Sequence, residues 1–106
     1  MLTRKIAINQ ANQLIQALRV FGIAPVRAIL FGSVAKGKQH AWSDIDLAIW
    51  SADFTGVLGL DVEKILPVLR PFPMVEVHTF HPDESEANNP FIREIVKTGI
   101  ELDVGK

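Results

Sequence analysis

The chain has 106 residues, 48% of them apolar and 22% charged, with a formal net charge of −1 and no cysteine. That suits one folded domain, 1–106, with a modest core. The near-zero charge gives no footprint for strong nucleic-acid binding, the missing cysteines exclude disulfides and thiolate metal sites, and no apolar run reaches the roughly 18 residues of a membrane span. The N-terminus lacks a signal-peptide core, so a cytoplasmic location is expected.

A helix is predicted over 4–20, where Ile6, Leu14, Ile15, Leu18 and Phe21 recur at three- and four-residue spacings. Thr3 caps it and Gly22 ends it. Pro25 breaks the helix and leads into a strand over 26–31. Gly32 to Gly37 reads as a turn containing about one helical turn, 38–42 as a loop, and 44–50 as a second strand. A second helix follows over 57–69, with Leu58, Val62, Ile65, Leu66 and Leu69 apolar and Pro67 near its end; Pro71 and Pro73 stop it. Residues 74–80 alternate as a third strand. After a polar loop, Asn89 and Pro90 cap and start a last helix with Phe91, Ile92, Ile95 and Val96 as its stripe. Gly99 closes it where a left-handed backbone is easy, and 100–104 trails off as a short extended segment.

A helical crossover separates strands two and three, which makes them parallel; only a loop separates one and two, which makes them antiparallel. The second strand is then central. The expected class is α/β (α+β), a small mixed three-stranded sheet flanked by about four helices.

Chemistry concentrates in that sheet. Side chains alternate along a strand, so Asp44, Asp46 and Ala48 share one face while Ile45, Leu47 and Ile49 enter a core. The two carboxylates are about 6 to 7 Å apart at Cα. Like charges so close repel, and a cation between them relieves this; oxygen-only ligands suit a hard ion such as Mg²⁺. Glu76 on the adjacent strand, which alone reads as a solvent-facing strand residue, can join them. Three carboxylates can hold two divalent ions roughly 3.5 to 4 Å apart, which clamp the attacking and leaving oxygens of a nucleotidyl transfer.

The Gly32-Ser33 turn supplies a place for phosphates. Glycine lets the backbone approach closely, Ser33 offers a hydroxyl, and successive amides attract anions. The turn lacks the second half of a Walker A loop. Lys36 and Lys38 can neutralise phosphate charge, or are solvated loop lysines. His78 shares the face of Glu76 and reads as a surface or hydrogen-bonded histidine before a substrate contact. His40 and His81 carry no metal-ligand pattern. Trp42 and Trp50 read as packing residues, although Trp50 falls on the carboxylate face, which leaves stacking on a nucleobase open.

Gly32-Ser33, ten residues, then Asp44-Ile45-Asp46 resembles the nucleotidyltransferase signature of the DNA polymerase β superfamily. The fuller strings, Phe31 to Gly37 and Ser43 to Leu47, resemble the minimal nucleotidyltransferase group, which includes the antitoxin half of HEPN/MNT toxin–antitoxin pairs. The resemblance implies transfer of a nucleoside monophosphate, AMP from ATP, with Mg²⁺ or Mn²⁺. It implies a metal-binding role for Asp44, Asp46 and Glu76 and a nucleotide-binding role for Gly32, Ser33, Lys36 and Ser43. It also implies a hetero-oligomer with a helical HEPN-type protein, modified on a hydroxyl. Two positions depart from the pattern: Lys36, where many relatives carry Arg, replaces a bidentate fork with a point charge, and Glu76, where Asp is common, is one methylene longer.

Three classes follow: a nucleotidyltransferase, a module that neutralises a partner by contact alone, and a regulatory domain that holds NTP without turnover. The carboxylates and the Gly-Ser turn together favour the first. At 106 residues the domain shows no room for an acceptor, which is expected on a partner protein.

Overall fold

The computed structural model describes residues 2–38 and 44–105. Its elements run α1 (Arg4–Phe21), β1 (Arg27–Phe31), β2 (Ile45–Trp50), α2 (Leu58–Leu69), β3 (Val75–Phe80), α3 (Pro90–Thr98) and β4 (Ile100–Leu102). Among the described residues the expected order holds, with three helices in place of about four and a fourth strand in place of a trailing segment. The sheet runs β3-β2-β1-β4. β1 and β2 pair antiparallel, and β2 and β3 parallel, so β2 is central as its near-continuous apolar run requires. β4 was hidden because three residues cannot display a period of two. It exists because the free edge of β1 accepts it, Leu30 opposite Ile100 and Ala28 opposite Leu102.

The expected caps form. Thr3 accepts from the Ile6 amide at 3.1 Å, and Asn89 Oδ1 accepts from the Phe91 amide at 2.9 Å. Gly22 is left-handed, with φ 103°, and the Ile23 amide returns to the Leu18 carbonyl at 2.9 Å. Gly99 differs: its backbone is extended, at φ −88°. Space is what requires glycine there, because a Cβ would collide with the Ile29 side chain and with the carbonyls of Ile95 and Leu30.

The sheet is covered on both faces. Ile45, Leu47 and Ile49 pack with Ala28 and Leu30 into a core closed by α1 and α2; Ile29, Phe31, Ala48, Trp50 and Phe80 form a second core under Ile92 and Ile95 of α3. In α1 the buried stripe is Ala7, Ala11, Leu14, Ile15 and Leu18, while Ile6 and Phe21 are exposed. Alanines one turn apart let the helix lie close, so Ile6 beside Ala7 turns outward, and Phe21 is the last residue of the helix. No helix among the described residues is long and apolar enough to cross a membrane.

The stripe of α2 also departs from expectation. Asp61, Ile65 and Val68 are buried, whereas Leu58 and Leu66 are exposed. The cause is polar. Asp61 Oδ1 accepts from the amide and hydroxyl of Thr55, at 2.9 and 3.0 Å. Its Oδ2 accepts from the Gly56 amide at 3.0 Å and from the Thr79 hydroxyl of β3 at 2.8 Å. Burial alone would raise the Asp61 pKa, but the donors from Thr55, Thr79 and Gly56 outweigh it and hold the carboxyl below its ordinary value. A buried carboxylate thus ties the loop before α2 to the sheet edge. Because its folded pKa is depressed, its contribution is complete above the unfolded value and is lost as pH falls through the folded one. Asp61→Asn keeps the shape but turns one accepting oxygen into a donor facing other donors. In urea unfolding at pH 7 it should lose roughly 2 kcal/mol, and the gap to wild type should narrow as pH falls below the ordinary carboxylate range.

Candidate active site

The parallel register of β2 and β3 sets Asp46 beside Glu76 and Ala48 beside His78. Alternation puts Asp46, Glu76 and His78 on the α3 face of the sheet. The three side chains converge: His78 Nε2 is 3.6 Å from Asp46 Oδ1 and 4.0 Å from Glu76 Oε1, and one ligand atom from each residue lies within 4.8 Å of the other two. Side-chain exposure falls from Glu76, at 57%, to Asp46, at 26%, and His78, at 20%. Asp44 lies one residue before β2 and is exposed. It stands outside the close group, yet its charge still acts on Asp46.

The turn between β1 and β2 completes the arrangement. Phe31 is the register partner of Asp46, so Gly32 follows directly across the hairpin. Its φ of +76° is a left-handed conformation, and a Cβ on it would collide with Asp46 Oδ2. Glycine is required twice, by conformation and by the neighbouring carboxylate. The turn is one helical turn: the Lys36 amide reaches the Gly32 carbonyl at 3.1 Å and the Lys38 amide the Ser33 carbonyl at 2.8 Å. Arg4 Nη2 at the start of α1 takes the Ala35 carbonyl at 2.8 Å. No hydrogen bond among the described residues uses the amides of Ser33, Val34 and Ala35, which begin this turn. Lys36 and Lys38 are exposed beside it. Ser43, expected to contact nucleotide, lies outside the described residues, as do Trp42 and His40.

His78 is the site residue that sequence reasoning set aside. Its ring meets Phe31 edge-on with centroids 5.0 Å apart and Phe91 of α3 at 5.7 Å. Its place two residues after Glu76 was visible in the sequence, but the aromatic pair that holds it was not. It also lines a pocket of about 160 Å³ with Gly56, Leu58, Phe80 and Phe91. Trp50 is packed within the protein. It is 2% exposed, stacked on Phe80 at 5.0 Å, covered by the Arg27 guanidinium at 5.2 Å, and its Nε1 donates to the Glu84 carbonyl at 2.8 Å. Both faces are taken, so the nucleobase-stacking reading falls and the packing reading stands.

Burial first, and then the charge of Glu76, push the Asp46 carboxyl above its ordinary value; His78 opposes this and Asp44 adds to it. The donor set fits a divalent cation. Two carboxylates repel, and His78 Nε2 is a buried nitrogen with no hydrogen-bond partner among the described residues.

The nucleotidyltransferase domain family profile matches residues 11–103, so the chain belongs to that family. Among solved structures it is similar to a crystal structure of a toxin–antitoxin with AMP-PNP, at 24% identity and a TM-score of 0.62, over 88% of this chain and 72% of that one. That likeness carries the fold. No curated protein matches the chain.

Two predictions follow from this geometry. A carboxyl whose folded pKa is raised makes the folded state bind more protons than the unfolded chain, so stability falls as pH rises through that window. Asp46→Asn should therefore melt at least as high as wild type at pH 7 in chelator, and the difference should vanish below the unfolded carboxylate pKa. Gly32→Ala places a methyl group against Asp46 and strains the turn by about 1 to 2 kcal/mol. Circular dichroism should show native helix and strand content, and calorimetry with a divalent cation and a nucleoside triphosphate should show affinity reduced at least about tenfold, which corresponds to 1.4 kcal/mol.

Proposed function

We propose that the protein moves AMP from ATP to a side-chain hydroxyl of a helical, HEPN-type partner, acting as an antitoxin that silences the partner by modification. The observation that supports this reading most is the convergence of Asp46, Glu76 and His78 directly against the Gly32 turn. The acidic groups and a turn whose first amides have no hydrogen bond among the described residues lie together as a triphosphate and its cation need. The family supplies the reaction class, and the AMP-PNP in the similar toxin–antitoxin structure agrees with ATP as donor.

In the proposed reaction the amides of Ser33 to Ala35 and the Ser33 hydroxyl hold the β and γ phosphates, with Lys36 and Lys38 offsetting their charge. Asp44, Asp46 and Glu76 would hold a divalent ion, Mg²⁺ or Mn²⁺, which when bound would neutralise charge on the transferring phosphoryl group. The acceptor oxygen attacks the α-phosphorus as the bond to the bridging oxygen breaks, and pyrophosphate leaves with that electron pair. Glu76 is the most exposed of the clustered groups, so an acceptor arriving from solvent meets it first. Its carboxylate promotes loss of the hydroxyl proton, either taking it as base or sharing the ion that would acidify the hydroxyl, with the proton then passing to water.

The test is the intact mass of the co-expressed or genomically adjacent helical partner after incubation with Mg-ATP and this protein. Each transfer should add about 329 Da to a hydroxyl-bearing residue, and Asp46→Asn should abolish both the mass gain and the silencing. A partner silenced without any mass gain, equally by wild type and Asp46→Asn, would establish neutralisation by contact instead.

A further inference from the structure

We propose that His78 Nε2 is itself a cation ligand, so that Asp46, Glu76 and His78 form a mixed nitrogen–oxygen site that selects Mn²⁺ and its transition-metal neighbours over Mg²⁺. The inference rests on the transfer reading above and specifies its cation.

Three observations carry it. First, the distances are those of a site awaiting small adjustment. Metal–ligand bonds of about 2.0 to 2.2 Å put neighbouring ligand atoms roughly 3 Å apart. The Nε2 separations of 3.6 Å to Asp46 and 4.0 Å to Glu76 exceed that by about 1 Å or less, a gap that small movements of the two carboxylates would close. Second, Nε2 is buried and lacks a hydrogen-bond partner among the described residues. An unsatisfied buried nitrogen is unfavourable. At 3.6 Å the Asp46 oxygen is too far for a charge-assisted hydrogen bond of about 2.7 to 2.9 Å. Third, the imidazole is placed by its neighbours. Its register partner is Ala48, whose small side chain leaves the ring room to lean toward Asp46, and Phe31 and Phe91 flank the ring edge-on.

Chemistry then sets the preference. Mg²⁺ is a hard ion that takes oxygen ligands and keeps its waters. Imidazole suits first-row transition ions, whose affinity for nitrogen-bearing sites exceeds that of the alkaline-earth ions. Replacing one oxygen ligand by Nε2 therefore lowers the relative standing of Mg²⁺.

Pulsed electron paramagnetic resonance of Mn²⁺ on the full chain, alone and with tripolyphosphate, reads the nitrogen directly, because neither probe carries nitrogen of its own. Wild type should show ¹⁴N modulation on the bound Mn²⁺. His78→Gln should lose it and bind Mn²⁺ about tenfold more weakly, with Mg²⁺ binding less affected, while His81→Gln should keep the signal. Mn²⁺ bound to wild type without ¹⁴N modulation, and equally tightly by His78→Gln, would overturn the inference and leave the transfer reading standing on oxygen ligands. Asp46→Asn and Glu76→Gln proteins that bind Mn²⁺ as wild type does would show that no cation sits at this cluster, and would overturn both.

Discussion

Asp46 and Glu76 stand side by side across two parallel strands, and the protein must hold them there against their repulsion. Neither backbone can move away, because β2 is pinned on one side by β1 and on the other by β3, with Ile45, Leu47 and Ile49 locked into the core below. Burial first, and the Glu76 charge second, raise the Asp46 pKa above its ordinary value. A hydrophobic core, built from residues with no chemistry of their own, thus holds the backbone of the acidic pair in register. The same confinement explains Gly32. Once Asp46 is fixed by its pairing with Phe31, only a residue without a side chain can occupy the next position of the hairpin.

The face that carries the site changes character along its length. At the far end of β2 and β3, Trp50 and Phe80 stack under α3 and are sealed by Arg27. In the middle, Ala48 is buried without filling much space. At the near end the apolar residues give way to Asp46 and Glu76. α3 covers the first two zones and stops short of the third, its first turn presenting the half-exposed Phe91. The acidic cluster therefore opens to solvent on one side and backs onto a packed aromatic layer on the other. That layer lowers the local dielectric and strengthens every charge interaction at the cluster.

Much of this was legible in the sequence, and the rest failed for identifiable reasons. Alternation in 44–50 and 74–80 gave the strands and placed Asp46 and Glu76 on one face, and chain order gave their parallel pairing. The caps Thr3 and Asn89 were readable because each acts on an amide within three residues. What escaped depended on distant partners. The phase of α2 turns on Asp61, whose donors lie in Thr55, Gly56 and Thr79, and a carboxylate in an apolar helix reads as solvated until those donors are known. Gly99 was assigned a conformational role because helix ends favour it, whereas its real constraint is the closeness of β1. The sequence places His78 on the face of Glu76, but only the fold sets Phe31 and Phe91 around it.

That aromatic pair links the end of the chain to the centre of the site. Asn89 caps α3 and Pro90 starts it, which fixes where Phe91 emerges. Phe91 packs on Phe31 at 5.8 Å and on His78 at 5.7 Å, and Phe31 ends the strand that leads into the Gly32 turn. The cap of the last helix, the imidazole beside Asp46 and the turn that begins at Gly32 are therefore successive contacts of one packed group. A side chain in such a group changes rotamer only with its neighbours. The position of His78 relative to the two carboxylates is consequently set by α3 as much as by β3, and the placement of the site depends on the C-terminal helix even though none of the acidic residues lies on it.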